Sequence, residues 1–338
     1  MEEDPDVLGR AKAGDQSAFD ELVAPHRREL HAHCYRMLGS VHDAEDALQE
    51  ALLSAWRAMP RFEARSSVRV WLYRIATNSC LDALRAARRR PPAVTTIRGT
   101  TPPEPSSLGE VAWLEPYPDS LLEAAPAVPG PEAALNTRES IALAFITALQ
   151  LLPPRQRAVL ILRDVLGYRA REVAGMLGTS AESVTSALKR ARATLASRRG
   201  GEAERPAPGS AAERALVDRF VDAFTVHDVD GLVALLTEDA TVSMPPMPFE
   251  YKGTAAAERF FASIRPRAAR QVAVVRTRAN GDPAIAPYVH DDTTGLWRSI
   301  GVIVLTPGRD GLRGITHFQE ATLASFRLPV TLASVPSR

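Results

Sequence analysis

The feature that most constrains this chain is a proline-rich stretch at residues 91–131, which holds ten of the 26 prolines in 338 residues. Proline has no backbone N–H to donate and its ring clashes with the preceding helical turn, so no regular helix can run through the stretch. We therefore expect a linker here, between a helical block at residues 10–90 and another at residues 132–199. Two large aromatic side chains, Trp113 and Tyr117, lie within this linker and predict that it docks against a folded domain.

A change from helical to mixed patterning marks the C-terminal third of the chain. Helices are predicted there at about residues 211–226, 229–237 and 254–264. Runs rich in Val, Ile, Thr and aromatic residues predict strands at Ala240–Met244, Gln271–Arg278, Leu296–Leu305 and Leu312–Leu323. The expected fold class is a multidomain chain, all-α first and α+β at the end. The expected boundaries are 8–90 and 135–199 for the helical parts, 91–134 and 200–212 for the linkers, and 213–326 for the α+β domain.

The net charge of +1, from 41 basic and 40 acidic residues, hides a strong asymmetry along the chain. Residues 153–200 carry ten basic and three acidic side chains, a net charge of +7. Residues 91–152 carry two basic and seven acidic side chains, a net charge of −5, and the remaining parts are close to neutral. A strongly basic block inside a neutral average predicts a part that binds nucleic acid.

Cysteine usage and the N-terminus bear on the cellular compartment. Cys34 and Cys80 form no Cys-x-x-Cys pair, so neither a zinc module nor a disulfide framework is expected. The acidic N-terminus at residues 1–4 lacks the apolar core of a signal peptide, and no apolar run approaches the roughly 20 residues of a membrane helix. We expect a cytoplasmic protein with no membrane contact, no metal site and no cofactor.

The basic block has the pattern of three short helices. An apolar run at Ala158–Val165 predicts the first, and Gly178 ends the second by supplying a left-handed residue. Thr179 and Glu182 are spaced as a capping box for the third. That third helix carries a buried stripe of Val184, Leu188, Ala191 and Leu195. Its opposite side presents Glu182, Ser183, Thr185, Ser186, Lys189, Arg190 and Arg192.

This arrangement is typical of a helix-turn-helix. Short polar side chains at the start of its last helix can reach base edges, and the Lys and Arg residues further along can neutralise phosphates. The alternative is a basic surface helix on an ordinary bundle, which would not require this combination of spacing, capping and charge.

An acidic helix face and an arginine-rich helix stand out in the N-terminal block. The first follows Ser40, a predicted N-cap, and shows Asp46, Gln49 and Glu50 opposite an apolar stripe. An acidic face cannot lie against phosphate, so it suits a protein partner, although a merely solvated face is the alternative. The second helix, residues 68–90, starts with aromatics and ends in arginines, side chains that suit unstacked bases and single-stranded backbone.

These segments resemble a known family. The helix Asp43–Trp56, the run Trp71–Ala76 and the helix-turn-helix are similar to regions 2 and 4 of sigma-70 factors, in the compact extracytoplasmic-function (ECF) form. The resemblance implies a factor that binds RNA polymerase core and promoter DNA, with region 2 reading the −10 element and region 4 the −35 element.

The resemblance also implies roles for individual residues. The face that docks on the β′ clamp helices of the polymerase would be Asp43, Asp46, Gln49 and Glu50, and the β subunit would be a further partner. The −10 surface would be Phe62, Arg65, Ser66, Arg74, Asn78, Arg85 and Arg88. The −35 surface would be Arg171, Ala181, Glu182, Ser183, Thr185, Ser186, Lys189, Arg190 and Arg192. The acidic linker matches the position of the segment that lies in the RNA exit channel, which suggests that its charge stands in for RNA.

Residues 213–325 resemble the SnoaL-like (NTF2-like) cone, a curved sheet around a pocket, and a sigma subgroup carries such an extension. Relatives of this fold include enzymes that use an Asp general base in an apolar pocket. The candidate groups here are Asp239, Tyr251, His290, Asp291, His317 and Glu320, with Asp239 more typical of a turn and His290 and Asp291 expected in a hairpin turn. No pair has a spacing that requires catalysis.

The favoured interpretation is a sigma factor, not an enzyme, whose C-terminal domain regulates activity in cis and is a candidate to bind a small ligand. One alternative is a DNA-binding-regulated enzyme acting on a small apolar substrate, which an enclosed pocket with a buried, perturbed carboxylate would favour. Another is a helix-turn-helix repressor, which leaves residues 43–90 unexplained.

Overall fold

A computed structural model describes residues 4–87, 102–109, 114–122, 139–196, 205–264 and 271–334. The chain forms two compact units, one of residues 1–91 with 120–199 and one of residues 92–119 with 200–338. The linker between the helical blocks is therefore shared, because most of it belongs to the C-terminal unit.

The first unit is all-α in its described part. Its first helical part, residues 4–87, contains α1 (Pro5–Lys12), α2 (Gln16–Val23), α3 (Arg27–Leu38), α4 (Val41–Ala58) and α5 (Val68–Ala87). Its second helical part, residues 139–196, contains α6 (Leu143–Gln150), α7 (Pro154–Leu160), α8 (Ala170–Leu177) and α9 (Ala181–Ala196). A π-helical turn at Ile161–Val165 continues α7, and α3, α4 and α5 pack on one another.

Capping explains where these helices begin and end. The Ser40 Oγ accepts the Asp43 backbone N–H at 3.0 Å, so the predicted cap of α4 is confirmed. Gly178 ends α8 with a left-handed φ of +60°, also as expected. The cap of α9 is Ser180, one residue later than predicted, because the Ser180 Oγ accepts the Ser183 N–H at 3.2 Å.

The second unit is α+β, with α10 (Ala211–Thr225), α11 (Val229–Val233) and α12 (Thr254–Ile264). Its strands are β1 (Ser107–Leu108), β2 (Leu236–Met244), β3 (Met247–Lys252), β4 (Val272–Ala279), β5 (Asp282–Asp291), β6 (Leu296–Ser299), β7 (Val302–Pro307), β8 (Leu312–Phe318) and β9 (Thr331–Leu332). They form one sheet in the order β1-β3-β2-β8-β7-β5-β6-β9, and β4 also pairs with β5. The β2–β8 pair is parallel and the others are antiparallel.

The sheet differs from the sequence prediction in several places. The segment 247–252, where no strand was predicted, is strand β3, and the proline-containing β5 was missed altogether. Helix α11 ends at Val233, and its predicted last turn begins β2 instead. The predicted strand 296–305 breaks at Ile300–Gly301, and the predicted strand 312–323 ends at Phe318.

Apolar side chains fill the space between this sheet and its three helices. Phe220, Tyr251 and Phe260 are among the buried side chains that pack with Ile285 and Leu305 from the strands. Core residues alternate along β2 (Val242, Met244) and β7 (Ile303, Leu305), and they meet the apolar stripes of α10 and α12.

Candidate functional site

The acidic face lies on α4. Asp43, Asp46, Gln49 and Glu50 are all exposed, and the opposite side of the helix is buried through Ala44, Ala47, Leu48, Ala51 and Ala55. Leu53 follows Glu50 by three residues and Gln49 by four, and it is 50% exposed. Leu53 was not predicted as part of this face. Its spacing of three and four residues from the acidic stripe nevertheless places it on the same side of the helix, which the sequence alone could have indicated. The face therefore combines negative charge with an apolar contact, as protein–protein interfaces do.

The loop before α5 divides into buried and exposed positions. Phe62 was expected on the −10 surface, but it is 5% exposed and packs on Trp71 with 4.9 Å between the ring centroids. In this conformation its ring belongs to the core, which corrects the expectation of a surface side chain. Arg65 and Ser66 are exposed, and Arg65 pairs with Glu63 at 2.7 Å.

Helix α5 presents one exposed polar stripe. Arg74, Asn78 and Arg85 follow one another at spacings of four and seven residues, and all three are exposed. Arg85 also pairs with Asp82 on the same helix. Arg88, another expected member of this surface, lies outside the described residues.

Helix α9 has the two faces that the sequence predicted. Val184, Leu188, Ala191 and Leu195 are buried against α7 and α8. The exposed residues are Glu182, Ser183, Thr185, Ser186, Lys189, Arg190 and Arg192, while Ala181 is half-buried. Arg171 is exposed on α8. The structure thus brings together eight of the nine residues expected at the −35 surface on α9 itself, and Arg171 on the helix packed beside it.

The proline-rich linker docks on the C-terminal domain, as its aromatic residues predicted. Strand β1 pairs with β3, with Ser107 opposite Glu250. Tyr117 is fully buried, and its backbone N–H donates to Asn280 Oδ1 at 2.8 Å. Asp119 accepts the Gly281 N–H at 2.8 Å. Trp113 lies outside the described residues.

Each candidate catalytic group of the C-terminal domain, except the half-buried Glu320, has a hydrogen-bond or ion-pair partner outside the set of six. Tyr251 donates its hydroxyl to Pro103 O at 3.0 Å, and His317 bonds Ile300 O at 2.8 Å. No hydrogen bond or ion pair joins any two of the six groups, all of which are described. His290 and Asp291 end strand β5 rather than lying in the turn, which occupies residues 292–295. They therefore do not form a shared catalytic constellation.

A buried carboxylate does exist, at Asp282, which the sequence reasoning missed. Burial raises the pKa of Asp282 to about 6, although the nearby Arg205 guanidinium and a hydrogen bond from Thr306 act in the opposite direction. Arg205 lies 3.1 Å away and comes from the second linker. The Asp282 carboxylate links segments that are distant in the chain. Because Arg205 and Thr306 are 77 and 24 residues away from it, no local sequence pattern indicated the pairing.

Comparison with known proteins accounts for most of the chain. Residues 22–90 match the model of Sigma-70 region 2, residues 142–195 that of Sigma-70 region 4, and residues 217–320 that of the SnoaL-like domain. The ECF RNA polymerase sigma factor SigG of Mycobacterium tuberculosis is 43% identical over 328 residues, covering 95% of this chain and 86% of SigG. SigM of the same species is 36% identical over 193 residues, 57% of this chain and 83% of SigM.

A solved structure shares the fold over nearly the whole chain. The M. tuberculosis extracytoplasmic function sigma factor SigJ superposes with a TM-score of 0.57 at 22% identity, covering 93% of this chain and 99% of SigJ. Within the described ranges, no helix has the length and hydropathy needed to cross a bilayer. No cluster of three potential metal ligands occurs in that same part of the chain.

Proposed function

This chain belongs to the ECF sigma-70 family of RNA polymerase sigma factors, and from that premise we propose how its parts divide the work of promoter-specific transcription initiation. The protein binds RNA polymerase core and promoter DNA. The proposal rests on three separate exposed surfaces, on α4, α5 and α9. Each surface lies on the opposite side of its helix from a buried apolar stripe. Because the buried stripe packs each helix into the core, each exposed surface has a fixed orientation.

The α4 face of Asp43, Asp46, Gln49 and Glu50 docks on the β′ clamp helices of the polymerase. Its negative charge and the exposed Leu53 support this assignment, because the face can neither approach DNA nor bury itself in its own unit. Further contact with the β subunit falls to other parts of the chain. The assignment places the protein in the cytoplasm, where the polymerase works.

The −10 element is read by α5 and the loop before it. Arg74, Asn78 and Arg85 form the exposed stripe, and Arg65 and Ser66 extend it through the loop. Guanidinium and amide groups can hydrogen-bond unpaired bases and neutralise the backbone of a melted strand. Phe62 supports this surface from beneath by packing on Trp71.

The −35 element is read by α9 in the major groove of duplex DNA. Glu182, Ser183, Thr185 and Ser186 lie at its N-terminal end, where a recognition helix meets base edges. Lys189 and Arg190 follow one turn later and bind phosphates, with Arg171 on α8 as a further phosphate contact.

The C-terminal domain regulates these parts in cis rather than catalysing a reaction. Its hold on the linker supports this role, because the linker joins the two promoter readers and pairs with β3 and the β4–β5 turn. Its core is filled by Phe220, Tyr251 and Phe260, so a small ligand has no support from the described residues.

Transcription in vitro tests the proposal. Core polymerase is combined with the full-length protein and a library of genomic fragments, and run-off transcripts are sequenced. We expect transcripts from a defined set of promoters, lost with Glu50→Lys and kept with Glu21→Lys, an equal charge change on the exposed side of α2. The absence of any transcript that depends on the wild-type protein would overturn the assignment.

A further inference from the structure

The buried stripe of α9 determines which residues lie on the outermost side of that helix. At about 3.6 residues per turn, successive residues are about 100° apart around the axis. Glu182, Ser186 and Ala193 then lie within about 30° of the direction opposite the buried stripe, and all three are exposed. These three residues are here called the outer line of α9.

Two cations flank the outer line. Lys189 and Arg190 lie about 50° to either side of its centre, and both are exposed. When α9 lies in the major groove, side chains placed in this way reach the phosphates of the two strands that border the groove. The outer line between them then faces the base edges, so its residues are the ones that read the sequence.

Glu182 is the acidic member of the outer line, and it is one of three acidic residues in the basic block of residues 153–200. The other two accept hydrogen bonds from arginine residues of the same motif. Asp164 accepts from the Arg192 guanidinium at 2.6 and 2.8 Å, and Glu172 accepts the Arg169 backbone N–H at 2.6 Å. Glu182 instead lies where DNA binds. Because phosphate repels a carboxylate, this position is favourable only if a base donates a hydrogen bond to it.

Capping does not account for Glu182. A capping-box glutamate lies three residues after the cap, but the cap of α9 is Ser180, so Ser183 holds that position. Hydrogen bonds from its own backbone N–H and from Ser180 lower the pKa of Glu182, which keeps its carboxylate ionised. An ionised carboxylate has about four lone-pair sites, so it can accept a further hydrogen bond from DNA.

The four bases differ in what they offer a carboxylate in the major groove. Guanine presents the acceptors N7 and O6, and thymine presents the acceptor O4 and a methyl group, so both repel it or give it no donor. Adenine presents the N6 amino group beside the acceptor N7. Cytosine presents the N4 amino group and no acceptor of its own. A carboxylate that cannot donate therefore favours cytosine over the other three bases.

We propose that Glu182 determines the specificity of the −35 reader by accepting a hydrogen bond from the N4 amino group of a cytosine. This rests on the proposed function, in which α9 reads the −35 element, and it names the base that one residue selects. Ser186 is four residues, or about 6 Å, further along α9, more than the base-pair spacing of about 3.4 Å. It therefore meets a different base pair, and its hydroxyl, which donates and accepts, selects less strongly.

Run-off transcription from a promoter library tests the assignment. Core polymerase is combined with the full-length protein, and the template is a promoter that the wild type uses, with each −35 base pair replaced in turn by the other three. Glu182→Gln and Glu182→Ala are compared with the wild type. Glu172→Gln is the matched control, because it makes the same chemical change at an exposed residue of α8 in the same basic block.

We expect the wild type and the control to prefer cytosine at one −35 position by about fivefold or more, the lower end for a good base contact. Glu182→Gln should prefer adenine at that position, since a carboxamide matches adenine N6 and N7. Glu182→Ala should have no preference there, while the other positions keep theirs. Each preference is a ratio within one variant, so a general change in activity does not alter it.

Removal of the amino group alone tests the contact between the two groups. Pyrimidin-2-one lacks only the N4 amino group of cytosine, and promoter duplexes that carry it at the selected position are titrated with holoenzyme. The wild type should lose about fivefold or more in affinity, and Glu182→Ala should lose much less. Weakening of the duplex itself affects both proteins equally, so the difference between them reports the contact.

The outcomes distinguish this assignment from the proposed function. A wild type that reads the −35 element without preferring cytosine at any position overturns the assignment, as does a cytosine preference that survives in Glu182→Gln. Equal losses of affinity on pyrimidin-2-one in the wild type and Glu182→Ala also overturn it. A wild type with no base preference anywhere in the −35 element overturns the reading of that element by α9, and with it the proposed function.

Discussion

Arg192 on the recognition helix donates two hydrogen bonds to Asp164, from Nε at 2.8 Å and from Nη2 at 2.6 Å. Asp164 lies in the π-helical turn that follows α7, so the pair ties the first helix of the motif to the last. A π-turn redirects side chains within a helix, and here it aims a carboxylate across the motif. The pair holds one guanidinium of the expected DNA surface in a fixed place and offsets its charge.

Replacing Asp164 should therefore release Arg192 to phosphate. In Asp164→Ala we expect tighter non-specific duplex binding with a steeper salt dependence, the slope of log K against log salt rising by about 0.9 for one added phosphate contact. Titrations of the holoenzyme with non-promoter duplex at several salt concentrations measure it. Arg190→Ala is the control with the opposite sign, because it removes a phosphate contact and should lower the slope by about 0.9. An unchanged slope in Asp164→Ala would show that Arg192 already leaves Asp164 for phosphate in the wild type, or that it does not contact DNA.

The pKa of Asp282 makes the stability of the C-terminal domain depend on pH. Burial raises that pKa to about 6 in the folded state, above the ordinary value of 3.8. The folded state thus binds the proton more tightly than the unfolded state, and stability is lost as pH rises from about 4 to about 6. At about 1.4 kcal/mol per unit, the loss is at most about 3 kcal/mol.

Asp282→Asn removes this titration. We expect its free energy of unfolding, relative to wild type, to rise by up to about 3 kcal/mol between pH 4 and pH 7. Urea unfolding followed by tryptophan fluorescence at both pH values measures the difference. A constant difference across that range would contradict the assignment.

Gly301 cannot be replaced by any other residue without distortion. It breaks the predicted strand between β6 and β7 with a φ of +122°, and an added Cβ would lie 1.9 Å from the carbonyl oxygen of Phe318. Gly301→Ala should destabilise the domain by about 4 kcal/mol or more, the range of severe backbone effects. Gly295→Ala is the control, since its φ is +67° with nothing within 4 Å, and it should cost only about 1–2 kcal/mol. Thermal unfolding of both variants decides the matter, and equal shifts would refute the steric argument.

Tyr117 anchors the linker to the C-terminal domain. Its ring is fully buried, so Tyr117→Ala should cost about 3–5 kcal/mol of docking energy, as aromatic truncations in cores do. We expect the linker to become much more sensitive to limited proteolysis, read by mass spectrometry of the fragments. Leu108→Ala, at a linker side chain that is 65% exposed, should change cleavage little. Equal protection of wild type and Tyr117→Ala would mean that other contacts hold the linker.

The sequence predicted features whose causes are local. The stripe of Val184 and Leu188, the end of α8 at Gly178 and the exposed acidic face of α4 depend on spacing within one or two turns. The cap of α9 was misplaced by one residue because Thr179 and Ser180 are both good caps. Strand β5 was missed because Pro283 and Pro287 normally argue against a strand in the middle of a sheet.

Pairs of residues that are distant in the chain could not be predicted from the sequence in this way. Arg69 and Tyr168 are 99 residues apart, and Arg205 and Asp282 are 77 residues apart. Nothing in the neighbourhood of either arginine distinguishes it from a solvated one. Only the packing of separate elements brings these groups together, so the Arg69–Tyr168 contact and the buried Asp282 became visible only in the structure.

Strand β1 also has a consequence for the order in which the protein is made. Ser107 of β1 pairs with Glu250 of β3, a separation of 143 residues in the chain. At about 5–20 residues per second, the ribosome needs roughly 7–30 s to deliver the second partner after the first. Both promoter readers are complete before that interval ends, once α9 has been synthesised, while the linker still has no sheet to join. A nascent chain therefore passes through a period in which its regulatory contacts do not yet exist.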